Sequence, residues 1–117
     1  MLPTFDVTVR EPRRDPVELT VTGELDLDTA RHVRRAAAEV LTGGRTHLRV
    51  DVAGVTFCDS SGLSAFLDVH RWAREAGGSL TLTEVPGRLR RLLVLTGLEA
   101  LLTRGPAARS DAPAPSA

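Results

Sequence analysis

The residues best suited to chemistry form the segment Asp59-Ser60-Ser61-Gly62, where an alternating pattern ends and a helical pattern begins. Serine and aspartate at such a junction are typical of a helix N-cap, because their side-chain oxygens accept amide hydrogens of the first turn. A serine there could also accept a phosphate, since the positive end of a helix favours an anion. Local spacing favours the capping role and leaves both interpretations open.

A phosphate on Ser60 would add about −1.5 to −2 charges beside Asp59. We expect it to face free backbone amide hydrogens at the start of the helix, so it need not unfold anything. A partner bound to this surface would then meet a negative charge in place of a neutral hydroxyl.

The composition excludes several catalytic mechanisms. The chain has no Lys for a P-loop or Schiff base and no Tyr for acid–base work. Cys58 is the single cysteine, which excludes an intrachain disulfide, and we expect a buried, redox-inactive side chain. His32, His47 and His70 lack metal-ligand spacing, and Ser60 lacks the G-x-S-x-G elbow of hydrolases. We therefore expect no enzyme activity, no cofactor and no metal.

Charge and hydropathy exclude two classes of partner. The 15 basic residues, all Arg, balance 15 acidic residues. No basic field exists to hold a nucleic-acid backbone or an anionic membrane. No apolar run has membrane-spanning length, and the first residues lack a signal-peptide pattern. We expect a cytoplasmic protein, and the Arg-rich composition without Lys, Asn, Ile or Tyr indicates a GC-rich bacterial genome.

Periodicity supplies the elements that must position these residues. Apolar residues with a period of two predict half-buried strands over 4–10, 17–22, 47–58 and 79–83. Helical spacing predicts three helices, which end near the glycines at 43–44, 77–78 and 97. Residues 23–28 are predicted to form a loop in which Asp26 or Asp28 caps the first helix, and residues 99–103 a short strand or a final helical turn.

The element order favours parallel strand pairing with right-handed crossovers. Because the strands alternate, one sheet face should carry the helices and the other should face water. The predicted fold is α/β (α+β), with a mixed sheet of four to five strands and helices mainly on one face. We expect a domain over residues 1–104 and a disordered Pro/Ala-rich tail over residues 105–117.

Three motifs resemble those of STAS domains. The segment from Gly23 to Ala30 resembles the signature G-E-L-D-x-x-T-A, and the segment from Phe57 to Leu63 resembles the phosphorylation motif D-S-S-G-L. Thr96-Gly97-Leu98 resembles the T-G-L that follows the third helix. With the element order, the resemblance covers about residues 4–103 and is closest to bacterial anti-sigma factor antagonists.

This resemblance implies partner switching. The unphosphorylated antagonist would bind an anti-sigma factor, an ATP-dependent serine kinase of histidine-kinase-like fold, and so release the sigma factor for transcription. The kinase would phosphorylate Ser60 and dissociate, and a metal-dependent serine phosphatase would reset the cycle. The implied partner-binding residues are Asp26, Asp59, Ser61, Gly62 and Leu63. Among them, Ser61 would cap the helix, Gly62 would allow close backbone approach and Leu63 would begin the apolar contact.

Two features qualify the resemblance. Cys58 stands where a larger apolar residue is common, and the chain gives way to Pro and Ala where many relatives have a last strand and helix. The alternative function is that of a non-switching STAS subunit in a transport or stress-sensing assembly. The presence of Ser60 favours the phosphorylated antagonist.

Overall fold

The computed structural model describes residues 5–104. The elements in chain order are β1 (Asp6–Arg10), β2 (Val17–Leu25), α1 (Leu27–Thr42), β3 (His47–Cys58), α2 (Ser60–Glu75), β4 (Ser79–Thr83), α3 (Gly87–Leu95) and α4 (Glu99–Thr103). This order agrees with the predicted alternation of strands and helices.

The strands form one mixed sheet of four strands in the order β1-β2-β3-β4. β1 and β2 make an antiparallel hairpin, whereas β2 with β3 and β3 with β4 are parallel. The parallel pairs are connected through α1 and α2, so the predicted mixed α/β sheet is confirmed. No strand among residues 5–104 pairs with the outer side of β1, so β1 is one edge of the sheet.

The core lies on one face of this sheet. Along β2, Val17, Leu19 and Val21 are buried, while the residues between them are exposed or half-buried. The apolar sides of the helices cover the buried face, and Phe66 of α2 is the largest fully buried side chain. This arrangement follows from the period-two pattern, because alternate residues of a strand point to opposite faces.

The predicted loop over residues 23–28 is wrong. Residues 23–25 continue β2 and pair with β3, and α1 begins at Leu27. Gly23 suggested a turn, and it does have a positive φ of 97°. Here that conformation lies beside a bulge within a paired strand. The added pairing depends on β3, a partner more than twenty residues away, so local sequence could not reveal it.

Two bulges bring the ends of β2 and β3 level. One extra residue of β3 lies opposite positions 20–22 of β2, and a second lies opposite positions 23–24. As a result Leu25 pairs with Cys58, the last residue of each strand. Without the two extra residues the strand ends would be offset, since a strand advances about 3.3 Å per residue.

The C-terminal part of the domain is helical. Residues 99–103 form α4 rather than a strand, and Leu102 on this helix is fully buried. The predicted tail at 105–117 lies outside the described residues, as does Thr4 of the first predicted strand. The boundary at residue 104 therefore stays a prediction.

Gly78 offers a test of the packing between the turn that joins α2 to β4 and Thr46, the residue before β3. A Cβ atom at Gly78 would lie 1.8 Å from the backbone oxygen of Thr46, whereas one at Gly87 would meet nothing within 4 Å. We expect Gly78→Ala to lower the free energy of unfolding by about 2 kcal/mol or more, because the backbone must move. Gly87→Ala should change it by less than about 0.5 kcal/mol. Urea unfolding measures both, and equal midpoints would contradict this packing.

Candidate functional site

Two strand-to-helix turns lie side by side at one end of the sheet. β2 and β3 end together at Leu25 and Cys58, and the Asp59 amide donates a hydrogen bond of 3.2 Å to the Leu25 carbonyl oxygen. The next residue in each chain segment is an aspartate, Asp26 or Asp59, and each is the N-cap of the helix that follows. The level strand ends therefore place two capping carboxylates in adjacent turns.

Asp26 caps α1 through a reciprocal capping box. Its carboxylate accepts hydrogen bonds of 3.0 Å from the backbone amides of Asp28 and Thr29, and the Thr29 hydroxyl oxygen accepts one of 2.9 Å from the Asp26 amide. The amide of Thr29 is the main reason that the pKa of Asp26 lies below its usual range. Of the two predicted caps, the structure selects Asp26 over Asp28.

Asp59 caps α2 in the same way. One carboxylate oxygen accepts hydrogen bonds from the amides of Ser61, at 2.8 Å, and Gly62, at 3.2 Å. The prediction that Ser61 caps this helix is therefore wrong, because the N-cap position lies two residues earlier and is occupied by Asp59. The expectation that a phosphate on Ser60 would face free amides is corrected in part, because Asp59 already accepts the amides of Ser61 and Gly62.

Ser60 is the first residue of α2 and is exposed. Its hydroxyl makes no hydrogen bond within residues 5–104, and its exposure makes it accessible from solvent. Leu27 holds the equivalent first position of α1 and is 77% exposed. We use the name paired-turn surface for Asp26, Leu27, Asp59, Ser60 and Ser61.

Gly62 and Leu63 lie beneath this surface. Leu63 is only 5% exposed and belongs to the core. A Cβ at Gly62 would lie 2.7 Å from Leu25 Cγ and from Cys58 Sγ, so the close approach at this glycine is made by the protein's own strands. The role of Gly62 and Leu63 as partner contacts stays a prediction, and their burial argues against it. Of the predicted partner-binding residues, only Asp26, Asp59 and Ser61 are accessible.

An apolar cleft of about 570 Å³ adjoins the turn, between the end of β3 and α3. Phe57 and Leu95 line it and are 49% and 77% exposed. Arg88 and Arg91 also line it, and neither has an ion-pair partner among the described residues. Sequence reasoning missed the exposure of Leu27, Phe57 and Leu95.

The spacing of the leucines in α3 was the sequence signal that could have indicated the exposure of Leu95. Leu89 and Leu93 are four residues apart and are both buried. Leu95, two residues further along, lies outside that stripe on the helix surface.

Cys58 does not have the properties of a reactive thiol. It is half-buried, and burial together with the charge of Asp59 raises its pKa to about 11. The thiol is thus protonated near neutral pH, and it donates a weak hydrogen bond to the Asp59 carbonyl oxygen at 3.6 Å.

Residues 5–104 contain neither a metal site of protein side chains nor a membrane-spanning helix. No group of three or more His, Cys, Asp and Glu side chains could hold a metal ion. No described helix combines the length and apolarity needed to cross a bilayer.

Comparison with known proteins connects this geometry to a family. Residues 8–103 match the family described as "Mlab, STAS domain". The anti-sigma-B factor antagonist of Listeria monocytogenes is 30% identical over 98 residues, which cover 84% of this chain and 86% of that protein.

Solved structures show the same fold. An anti-sigma factor antagonist from Mycobacterium paratuberculosis superimposes with a TM-score of 0.71 at 24% identity, covering 92% of this chain and 90% of the other. The Bacillus cell fate determinant SpoIIAA in its phosphorylated form gives a TM-score of 0.68 at 20% identity, covering 91% of this chain and 97% of the other. At these identities the likeness concerns the fold alone.

Alanine substitutions distinguish the two candidate caps of α2. We expect Asp59→Ala to lower the free energy of unfolding by about 1 kcal/mol, because the Ser61 and Gly62 amides lose their acceptor. Ser61→Ala should change it by less than about 0.5 kcal/mol, since its hydroxyl does not cap the helix. Urea unfolding followed by circular dichroism measures both, and a larger loss for Ser61→Ala than for Asp59→Ala would refute the assignment.

Proposed function

Because the chain belongs to the STAS domain family, we propose that it acts as an anti-sigma factor antagonist. In its unphosphorylated form it binds an anti-sigma factor serine kinase and thereby releases the sigma factor. Phosphorylation of Ser60 ends that binding, and a metal-dependent serine phosphatase restores it. The observation that carries this proposal is an exposed serine that directly follows the capping Asp59, in a turn adjacent to the one capped by Asp26.

Access favours Ser60 over Ser61 as the phosphoacceptor. Ser60 is exposed at the first position of α2, whereas Ser61 is half-buried and its amide is held by Asp59. A kinase must bring the γ-phosphate of ATP in line with the attacking hydroxyl oxygen, which requires a reachable side chain. The turn holds the Ser60 side chain in a fixed position, because Asp59 precedes it and the Asp59 carboxylate binds the two backbone amides that follow it.

The capping carboxylate also determines what a phosphate does. Asp59 accepts the amides of Ser61 and Gly62, so a phosphate on Ser60 cannot be neutralised by them unless it displaces Asp59. The added charge of about −1.5 to −2 therefore stays at the surface next to a carboxylate. Its effect is local, since salt screens exposed charges beyond about 8 Å at physiological ionic strength.

The neighbouring apolar groups explain why such a charge would prevent binding. Leu27 and Phe57 are exposed at the start of α1 and near the end of β3, the elements that adjoin the phosphoacceptor turn. A partner that covers them removes water from Ser60 as well. A neutral hydroxyl loses little when it is covered, whereas a phosphate dianion without a cation opposite it loses its hydration.

Phosphate transfer tests the acceptor. Incubation with ATP and a purified anti-sigma factor kinase encoded in the same genome should add one phosphate, which peptide mass spectrometry should locate on Ser60. Ser60→Ala should accept none, and the matched variant Ser61→Ala should accept it as the wild type does. Phosphate on another residue would refute the site, and its complete absence would favour the non-switching STAS subunit.

Binding to the unmodified kinase tests the switch. Ser60→Asp should weaken binding by about tenfold or more, which corresponds to about 1.4 kcal/mol, while Ser60→Ala should bind like the wild type. Ala76→Asp is the control, because it adds one negative charge at the opposite end of α2, about 24 Å away. Isothermal titration calorimetry gives the dissociation constants. Equal losses for Ser60→Asp and Ala76→Asp would remove the electrostatic mechanism.

A further inference from the structure

The outer edge of β1 is an unpaired strand edge. β1 pairs with β2 on one side, and among residues 5–104 no strand pairs with it on the other. Four of its five residues are exposed. Such an edge presents backbone N–H and C=O groups that can pair with another strand, and proteins commonly protect it with charged side chains.

The charges on β1 oppose a parallel pairing of two copies and favour an antiparallel one. The strand reads Asp6-Val7-Thr8-Val9-Arg10, with opposite charges two residues on either side of Thr8. In a parallel pair of two copies, Asp6 would face Asp6 and Arg10 would face Arg10. In an antiparallel pair centred on Thr8, each Asp6 faces Arg10 of the second copy, and opposite charges directly across a sheet attract.

The apolar residues of β1 agree with this register. Val7 and Val9 pair with Val21 and Leu19 of β2, which are buried, so both valines lie on the core side of the sheet. Val9 is nevertheless 41% exposed, unlike its neighbour in the register, Leu19, at 1%. In the antiparallel pair centred on Thr8, Val9 would face Val7 of the second copy and would be covered from the open side.

We propose that β1 pairs with β1 of a second copy of this chain, antiparallel and centred on Thr8. The resulting dimer has one continuous sheet of eight strands, four from each copy. Each copy contributes a strand of five residues, so the interface is small and the dimer dissociates on dilution. It uses the lateral edge of the sheet, whereas the paired-turn surface lies at the ends of β2 and β3. The proposal is therefore independent of the proposed function.

Charge reversal gives a sharp test. Asp6→Arg places two positive charges opposite each other twice in the dimer, and Arg10→Asp does the same with negative charges. Arg10→Asp also removes the ion pair of Arg10 with Glu18 within each copy, so Asp6→Arg is the cleaner variant. Sedimentation velocity over a concentration series should show a dimer for the wild type and a dissociation constant raised about tenfold or more for either variant alone. An equimolar mixture of the two should form a dimer again, because every facing pair then has opposite charges.

The control pair carries the same charge changes away from the edge. Glu75→Arg and Arg74→Asp reverse exposed charges near the end of α2, and each alone should dimerise like the wild type. Circular dichroism verifies that all four variants fold. A wild type that stays monomeric at every concentration would overturn the proposal. It would equally fail if both β1 variants dimerised normally, or if the two β1 variants did not associate when mixed.

Crosslinking tests the register by a second route. Thr8 faces itself across the proposed two-fold axis, so Thr8→Cys in a Cys58→Ala background should form an interchain disulfide on oxidation. Thr20→Cys in the same background is the control, because Thr20 is exposed on β2, one strand inside the edge. Faster crosslinking at position 8 supports the pairing, and equal rates at both positions contradict it.

Discussion

The pairing of Leu25 with Cys58 is the constraint on which the paired-turn surface depends. Two bulges in β3 make this pairing, and with it the level ends of β2 and β3. An aspartate follows each strand end, and each aspartate begins a helix. Removal of one bulge would shift one helix start along the sheet by about 3.3 Å and would separate Ser60 from Leu27. The irregular part of the sheet is therefore what aligns the site.

The caps also determine how the surface responds to charge. The unsatisfied amides at a helix start commonly bind anions, which is why a phosphate there can be stabilising. In α2 the Asp59 carboxylate already holds two of these amides. These two amides are therefore not available to a phosphate on Ser60, which would remain a net negative charge for a partner. Without this cap the free amides of α2 could stabilise the phosphate charge, and the phosphorylated and unphosphorylated forms would then differ less in their affinity for a partner.

Much of this arrangement could be predicted from the sequence, because it follows from local rules. Alternation of apolar residues identified the strands, and helical spacing identified Ala30, Val33, Ala37 and Val40, all of which are buried in α1. The capping position of α2 was placed within two residues. The extension of β2 to Leu25 and the bulges in β3 were not predictable, since each arises from pairing between distant segments. The exposure of Leu27, at the first position of α1, was not predicted either, because a leucine is ordinarily expected to be buried.

The layering of the site separates recognition from stability. Leu63 and Gly62 are buried directly beneath the turn and fix the contact between α2 and the strand ends. Ser60 and Leu27, at the first helical positions, are exposed and add little to the core. Substitutions at these two positions can therefore alter binding while the helix caps and the packing below remain intact. A surface built in this way can carry a modification on a side chain whose loss or gain leaves the fold unchanged.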